Sequence, residues 1–148
     1  MMAAILLDTN MLVYFVDPRD EIRQNQAIDL LKTLGELGIG RFSAQNLAEF
    51  MNSTRKLSAW ITHAEVVAQV RRWVNIFPIF DLTPMVVLEA ARGVQEYQLS
   101  YYDAQIWAAA RLNQVALLFS EDFQDGAVLE GVRFANPFAP AFDLADWV

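Results

Sequence analysis

The sequence predicts an α/β fold: a three-layer α/β/α sandwich around a mainly parallel sheet of about five strands. Residues 3–7 and 115–119 are short, unbroken apolar runs bounded by polar turn residues, as in parallel strands that are covered on both faces. The segments between such runs carry apolar residues at helical spacing. Because strands alternate with helices, a parallel sheet with right-handed crossovers is the expected arrangement.

Each element follows from its local pattern. Strands are predicted at residues 3–7, 38–42, 76–81, 115–119 and, as a last edge strand, 131–134. One helix is predicted to begin near Met11. Five further helices are predicted to span residues 21–37, 43–57, 62–75, 84–97 and 100–113. Pro84 suits a first helical turn. Thr62 with Glu65, and Ser100 with Asp103, fit the capping box, in which two side chains satisfy amides at a helix start.

The composition predicts a single folded domain over residues 1–148, with an acidic and aromatic tail at about 139–148. With 55% hydrophobic residues and a mean hydropathy of +0.21, the chain is too apolar to be disordered. Its 18 acidic and 11 basic residues give a net charge of -7. This charge argues against a protein that coats nucleic acid by bulk positive charge.

Several kinds of site are excluded by what the chain lacks. It has no cysteine, which excludes disulfides, thiol nucleophiles and Cys-ligated zinc and favours a cytoplasmic location. His63 is the single histidine, so a site that needs two is excluded, and we expect it near the surface in a first helical turn. No signal peptide or membrane span is expected, because the apolar run before Asp8 is too short.

Two acids follow predicted strands at the place where ligands bind in this fold class. Asp8 comes directly after the first strand, and Asp122 follows the strand that ends at Phe119. In open α/β sheets the binding crevice lies beyond the carboxyl ends of the strands, where the strand order reverses. If these two strands are neighbours, their acids share one crevice.

Each candidate acid also has an ordinary structural interpretation. Asp8 and Asp103 could cap helices. Glu49 could be a solvated helix residue, and Asp122 and Asp125 could be turn residues. Taken singly, none of these acids therefore indicates a site.

Four short stretches each place a carboxylate among apolar residues: LLDTN at 6–10, QNLAEF at 45–50, LSYYDAQI at 99–106 and FSEDFQDG at 119–126. Together they resemble the PIN-domain nucleases, and most closely the VapC-type toxins of bacterial and archaeal toxin-antitoxin pairs. The resemblance extends from Ile5 to about Phe138, with the stretches in the right order. It implies a metal-dependent, single-strand-directed endoribonuclease that hydrolyses phosphodiester bonds in RNA, with a protein antitoxin as partner and a homodimeric state.

The resemblance also implies roles for individual residues. It places Asp8, Glu49, Asp103 and Asp122 in an acidic pocket that holds Mg²⁺ or Mn²⁺. Asp8 and Asp103 would be the inner ligands, and Glu49 and Asp122 would act mostly through water. Supporting roles fall to four further residues: Thr9 and Asn10 beside the first carboxylate, Ser120 through its hydroxyl, and Asp125 as an outer acid.

The chemistry of clustered acids agrees with this interpretation. Carboxylates brought together in a dry pocket repel one another, which raises some of their pKa values and opposes folding. A hard divalent cation with oxygen ligands removes that conflict and can activate water for in-line attack on a phosphodiester. No protein nucleophile is then required, which agrees with a chain that has no cysteine.

Residues outside the acidic stretches have two interpretations each. The basic pairs Arg55-Lys56 and Arg71-Arg72 are either solvated helix surface or contacts to an RNA backbone. The four tryptophans are expected in the core or at interfaces rather than as base-stacking platforms. Glu121, between two candidate residues, is expected to be solvated.

Other functions remain as alternatives. A PIN-like fold could be a non-catalytic binding or assembly module, and a DNA-directed metal nuclease is a further candidate. A phosphotransferase of the haloacid dehalogenase type needs a second acid two residues after the first, where this chain has Asn10. A receiver domain needs a lysine at a later strand end, but Lys32 and Lys56 both fall in predicted helices. Each of these last two classes therefore lacks a required group.

Overall fold

The computed structural model describes residues 2–148 and contains one central sheet with helices on both faces. The strands are β1 (Ile5–Leu7), β2 (Gly40–Ser43), β3 (Ile79–Phe80), β4 (Leu117–Phe119), β5 (Val128–Leu129) and β6 (Val132–Ala135). The helices are α1 (Thr9–Val16), α2 (Glu21–Leu37), α3 (Ala44–Ser53), α4 (His63–Ile76), α5 (Pro84–Tyr97) and α6 (Tyr101–Leu112). Short 3-10 helices cover Thr54–Leu57 and Leu144–Asp146. None of the helices within residues 2–148 combines the length and apolar composition that crossing a bilayer requires.

The sheet confirms the predicted α/β class. Its strand order is β3-β2-β1-β4-β6-β5, and every neighbouring pair is parallel except β5 with β6. The chain builds outward from β1 to β3 and then crosses to β4 on the other side of β1. The strand order therefore reverses between β1 and β4, which is where a binding crevice is expected.

The sheet has six strands rather than about five, because a two-residue strand was not predicted. Residues 127–129 are apolar, but this run is too short to predict a strand, and Val128 in β5 is exposed. Gly131, at a positive φ of 83°, lies in the tight turn that folds β5 back onto β6. The predicted edge position of residues 131–134 is wrong, because β6 lies inside the sheet and β5 forms the edge.

Helix starts and ends mostly follow the predicted signals. Thr62 and Glu65 form a complete capping box, and Pro84 occupies the first turn of α5. The predicted helix over 43–57 is α-helical to Ser53 and then continues as a 3-10 helix. The predicted box of Ser100 with Asp103 is wrong. The Ser100 side chain makes no capping bond, and the Asp103 carboxylate lies near other acids instead.

Two cores lie on opposite faces of the sheet, because alternate residues of a strand point to opposite sides. Ile5 and Leu7 of β1 join the core under α1 to α4, and Leu6 joins the core under α5 and α6. Trp73 is at the centre of the first core, with edge-to-face contacts to three phenylalanine rings at centroid distances of 4.9 to 5.6 Å. The predicted core position of Trp107 is confirmed in the second core, where it is fully buried.

Close packing of α5 on α6 depends on one glycine. A Cβ atom at Gly93 would lie only 2.8 Å from Cζ3 of the Trp107 ring, so a side chain there would force the helices apart.

On the other face of the sheet, the C-terminal tail is packed rather than loose. Phe142 and Trp147 contact the Phe119 ring edge-on, at centroid distances of 5.4 and 5.9 Å.

Candidate active site

Asp8 lies in the crevice between the ends of β1 and β4. Its backbone N–H donates to the carbonyl of Phe119 at 2.9 Å, which joins the two strand ends. Its Oδ1 accepts a hydrogen bond from the backbone N–H of Thr9 at 2.7 Å, so Asp8 is also the N-cap of α1. The capping and crevice interpretations of this residue therefore hold together.

Ser120 fixes the acids that come from the two strands. Its hydroxyl donates to Oδ2 of Asp8 at 2.6 Å and accepts from the backbone N–H of Asp122 at 3.0 Å. Ser120 is fully buried, so water does not compete for either bond. Both oxygens of the Asp8 carboxylate are thus held in place, one by Thr9 and the other by Ser120.

Three carboxylates meet at this point. Asp8, Asp103 and Asp122 each offer one oxygen, and these oxygens lie within 4.8 Å of one another. Asp103 comes from the first turn of α6, so three separate elements converge. Glu49 of α3 lines the same crevice but stands outside this closest group.

Burial and mutual repulsion disfavour the ionised acids. Asp8 is only 5% exposed, and this burial is the main reason that its pKa rises from 3.8 to about 7. The charges of Asp122 and Glu49 raise it further, whereas the hydrogen bonds from Ser120 and Thr9 oppose the shift. Burial also raises the pKa of Asp122, followed by the charge of Asp103. Without a cation, the crevice therefore holds protons near neutral pH.

The oxygen atoms at this point are suitable ligands for a hard divalent cation. Such ions prefer oxygen ligands, and all three converging side chains are carboxylates. Asn10 adds a second indication, because its side-chain Oδ1 is buried without a hydrogen-bond partner among residues 2–148. Buried polar atoms are nearly always satisfied, so an unpaired oxygen at this crevice is a place for a water or an ion.

The comparisons with known proteins agree with the geometry. A family model described as the PIN domain matches residues 5–124. The chain belongs to the PIN-domain family. No curated protein sequence matches it.

Solved structures of toxin-antitoxin proteins, VapC among them, share the fold of this PIN domain. A toxin-antitoxin complex from Klebsiella pneumoniae is 24% identical and superposes with a TM-score of 0.66, covering 91% of this chain and 98% of that one. VapC20 of Mycobacterium tuberculosis, a toxin that cleaves the sarcin-ricin loop, is 19% identical with a TM-score of 0.65, covering 88% and 99%. DNA-bound VapBC of Salmonella typhimurium is 13% identical with a TM-score of 0.66, covering 92% and 99%.

The sequence did not indicate that an amide network supports Glu49 in this PIN domain. Nε2 of Gln45 donates to the Glu49 carboxylate and, at 3.0 Å, to the carbonyl of Tyr102. Oε1 of Gln45 accepts from Gln105 at 2.9 Å. Gln45 lies four residues before Glu49, a spacing that places both on one side of a helix and could have identified it. A related bond joins Asn46 to the Thr9 hydroxyl at 3.3 Å.

Two acids beside the site are placed differently from the sequence-based expectation. Asp125 accepts from the backbone N–H of Asn136 at 2.9 Å and is not among the residues that line the crevice. Glu121 is not freely solvated, because it accepts a 2.7 Å hydrogen bond from the Tyr14 hydroxyl. Burial, followed by this bond, raises the pKa of Tyr14 to about 12. Glu121 thus reinforces the wall of the crevice.

The predicted basic contacts divide into two groups. Lys56 lines the crevice, together with Arg19, which the sequence did not single out. Arg55 lies beside a separate shallow pocket, next to His63, which is exposed as expected. Arg71 and Arg72 are exposed on α4 and do not line the crevice.

Proposed function

We propose that this PIN domain is a metal-dependent endoribonuclease that acts as the toxin of a VapC-type toxin-antitoxin pair. The observation that carries the proposal is the convergence of the Asp8, Asp103 and Asp122 carboxylates at the β1–β4 crevice. The unpaired Asn10 oxygen at the same crevice supports it. We expect the protein to act in the cytoplasm, where its RNA substrate would be.

Asp8 and Asp103 would hold Mg²⁺ or Mn²⁺ directly, and Asp122 and Glu49 would act mostly through water. The bound ion would supply Lewis-acid stabilisation of the phosphate charge and an acidified water as nucleophile. The chain itself supplies orientation. Ser120 and the Thr9 amide fix the Asp8 carboxylate, and Gln45 fixes Glu49.

Supporting residues have narrower proposed roles. Asn10, whose buried side-chain oxygen has no hydrogen-bond partner within residues 2–148, would accept a hydrogen bond from a water at the crevice. Thr9 donates its backbone N–H to Asp8, and its hydroxyl oxygen accepts from Nδ2 of Asn46. Asp125 would act only at a distance, by holding the Asn136 backbone in the loop after β6.

The test is cleavage of mixed cellular RNA by the purified protein, read by mapping the new RNA ends. We expect discrete cuts with Mg²⁺ or Mn²⁺, no cuts with chelator, and no cuts with Asp103→Asn. Single-stranded DNA of matched sequence should remain uncut. Cleavage of DNA alone would favour a DNA-directed nuclease, and metal binding without any cleavage would favour a non-catalytic module.

We further propose a protein antitoxin as partner, because similar structures were solved as toxin-antitoxin complexes. An apolar groove of about 430 Å³ offers a place for such a chain between α2 and α4. Its walls include Phe15, Leu31, Ile76 and Phe77. An amphipathic helix could lay its apolar side chains in this groove.

We also propose a homodimer, for which α5 offers an apolar surface. Leu88 is 65% exposed, Met85 is nearly as exposed, and Met85 lines a cavity of about 530 Å³ together with Leu112. We expect Leu88→Glu to shift the protein from dimer to monomer in sedimentation velocity, because it buries a charge in the interface. The matched control is Ile22→Glu on α2, which is 75% exposed and should leave the dimer intact. A wild-type protein that sediments as a monomer would contradict this proposal.

A further inference from the structure

A row of side chains on α3 continues the crevice well beyond the acids. Gln45, Glu49, Ser53 and Lys56 all line it. Their spacings of four, four and three residues place them on one side of α3 and of the 3-10 helix that follows. About eight steps at roughly 1.5 Å along α3 and about three at roughly 2.0 Å along the 3-10 helix give this row a length of about 18 Å. That is room for about five stacked nucleotides at roughly 3.4 Å each, and for fewer if the strand is extended.

The first end of the row carries an exposed aromatic ring. Tyr102 lines the crevice, is 63% exposed and directly precedes Asp103. Its position is fixed from two sides: Gln45 donates to its carbonyl at 3.0 Å, and the Tyr101 ring contacts it edge-on at 5.4 Å. An exposed ring that is held beside a row of polar groups can stack on an unpaired base of any sequence.

The opposite end of the row carries the positive charge. Lys56 is exposed, and within residues 2–148 its ammonium pairs with no carboxylate at salt-bridge distance. Arg19 also lines the crevice, where both Asp17 oxygens accept its N–H groups at 2.9 Å. The Arg19 guanidinium also lies over the Trp60 ring at 5.3 Å. Arg19 is therefore held in place, while Lys56 is free to meet a phosphate.

We propose that a single unpaired RNA strand lies along α3, with one base stacked on Tyr102 and backbone phosphates on Lys56 and Arg19. The inference rests on the proposed ribonuclease function, since the phosphate to be cut then lies at the acids, which begin with Asp103 beside Tyr102. A duplex is excluded from this arrangement because its bases are already stacked inside the helix. The chain's net charge of -7 makes such local attraction necessary.

The test measures RNA binding in the Asp8→Asn background with Mg²⁺, so that the RNA stays uncut. The probe is a short single-stranded RNA of alternating adenine and cytosine, which cannot pair with itself, with a fluorescent adenine analogue. We expect Tyr102→Leu to weaken binding by about five- to 100-fold and to abolish quenching of the analogue. Tyr102→Phe should retain both the affinity and the quenching, because the ring alone is required.

The charged end is tested by salt dependence. We expect Lys56→Ala to lower the slope of log affinity against log salt by about 0.7, the contribution of one phosphate contact to a single strand. Lys32→Ala, which removes the other lysine from the exposed surface of α2, should leave the slope unchanged. The same RNA annealed to its complement should bind more weakly than the single strand.

Three results would overturn the placement. These are equal affinities for Tyr102→Leu and Tyr102→Phe, equal slopes for Lys56→Ala and Lys32→Ala, or no measurable binding of the single strand. The nuclease proposal fails separately. If the protein shows this binding pattern but never cuts RNA, the RNA placement stands and the ribonuclease proposal is contradicted. If it cuts RNA without this binding pattern, the ribonuclease proposal stands and the RNA placement is contradicted.

Discussion

Replacing Asp8 with asparagine is expected to lower metal-dependent RNA cleavage by at least about 100-fold while leaving the fold intact. Asparagine keeps the size of Asp8 and one acceptor oxygen, so the capping bond from the Thr9 N–H can still form. Its NH₂ group replaces the oxygen that accepts from Ser120 and can donate to the Ser120 hydroxyl oxygen instead. What the substitution removes is the negative charge at the centre of the three-carboxylate cluster. The measurement is the initial rate of cleavage with saturating Mg²⁺ or Mn²⁺, with circular dichroism as the check of folding.

The same variant has a distinct stability signature. The pKa of Asp8 is raised from 3.8 to about 7 in the folded protein, so the folded state binds a proton more tightly than the unfolded state. This favourable contribution is complete below about pH 4 and is lost as the pH rises through about 7. Without metal, Asp8→Asn should therefore melt higher than the wild type above pH 7 but not at pH 4.

Added metal should favour the wild type over Asp8→Asn. Because a ligand that binds the native state stabilises it, Mn²⁺ should raise the melting temperature of the wild type more than that of Asp8→Asn. Asp29→Asn, on the exposed side of α2, is the matched control and should behave as the wild type throughout. Full cleavage by Asp8→Asn would remove Asp8 from the mechanism.

Trp73→Ala is expected to cost about 3–5 kcal/mol of the free energy of unfolding, which approaches the whole stability of many domains. The indole is 2% exposed and is surrounded by the rings of Phe15, Phe42 and Phe50. Its removal leaves a cavity that three rigid aromatic neighbours cannot fill. Urea unfolding followed by circular dichroism measures the loss.

The control for this prediction is another tryptophan. Trp60 is exposed and lies under the Arg19 guanidinium, so Trp60→Ala should cost no more than about 1 kcal/mol. Similar losses for the two variants would contradict the assignment of Trp73 to the centre of the core.

Local patterns predicted the elements whose signals are strong. The helix over 21–37 and the helix over 84–97 match the structure to the residue, because each has a distinct start and a long apolar stripe. The hairpin of β5 and β6 was missed in part, because a two-residue strand carries too few positions for a pattern. Its pairing is set by the turn at Gly131 and by the neighbouring strand.

The candidate site was predictable as a set of acids but not as a geometry. Asp8 and Asp122 could be placed together because both follow strands that prove to be neighbours. Two roles were predicted for the Asp103 carboxylate: capping a helix together with Ser100, and binding metal in the crevice. The structure places it in the crevice rather than at the cap. Gln45, Arg19 and Tyr102 gain their importance only from contacts across the fold, which no local pattern carries.

The two margins of the sheet have a consequence for how copies of this protein can meet. β3 and β5 are each only two residues long, so each margin offers few unpaired backbone groups to an incoming strand. Growth of the sheet from one molecule into the next, the usual start of fibrous aggregation, is therefore blocked on both sides. Assembly must instead use side chains on the helices, so changes of surface residues can tune it without disturbing any backbone ladder.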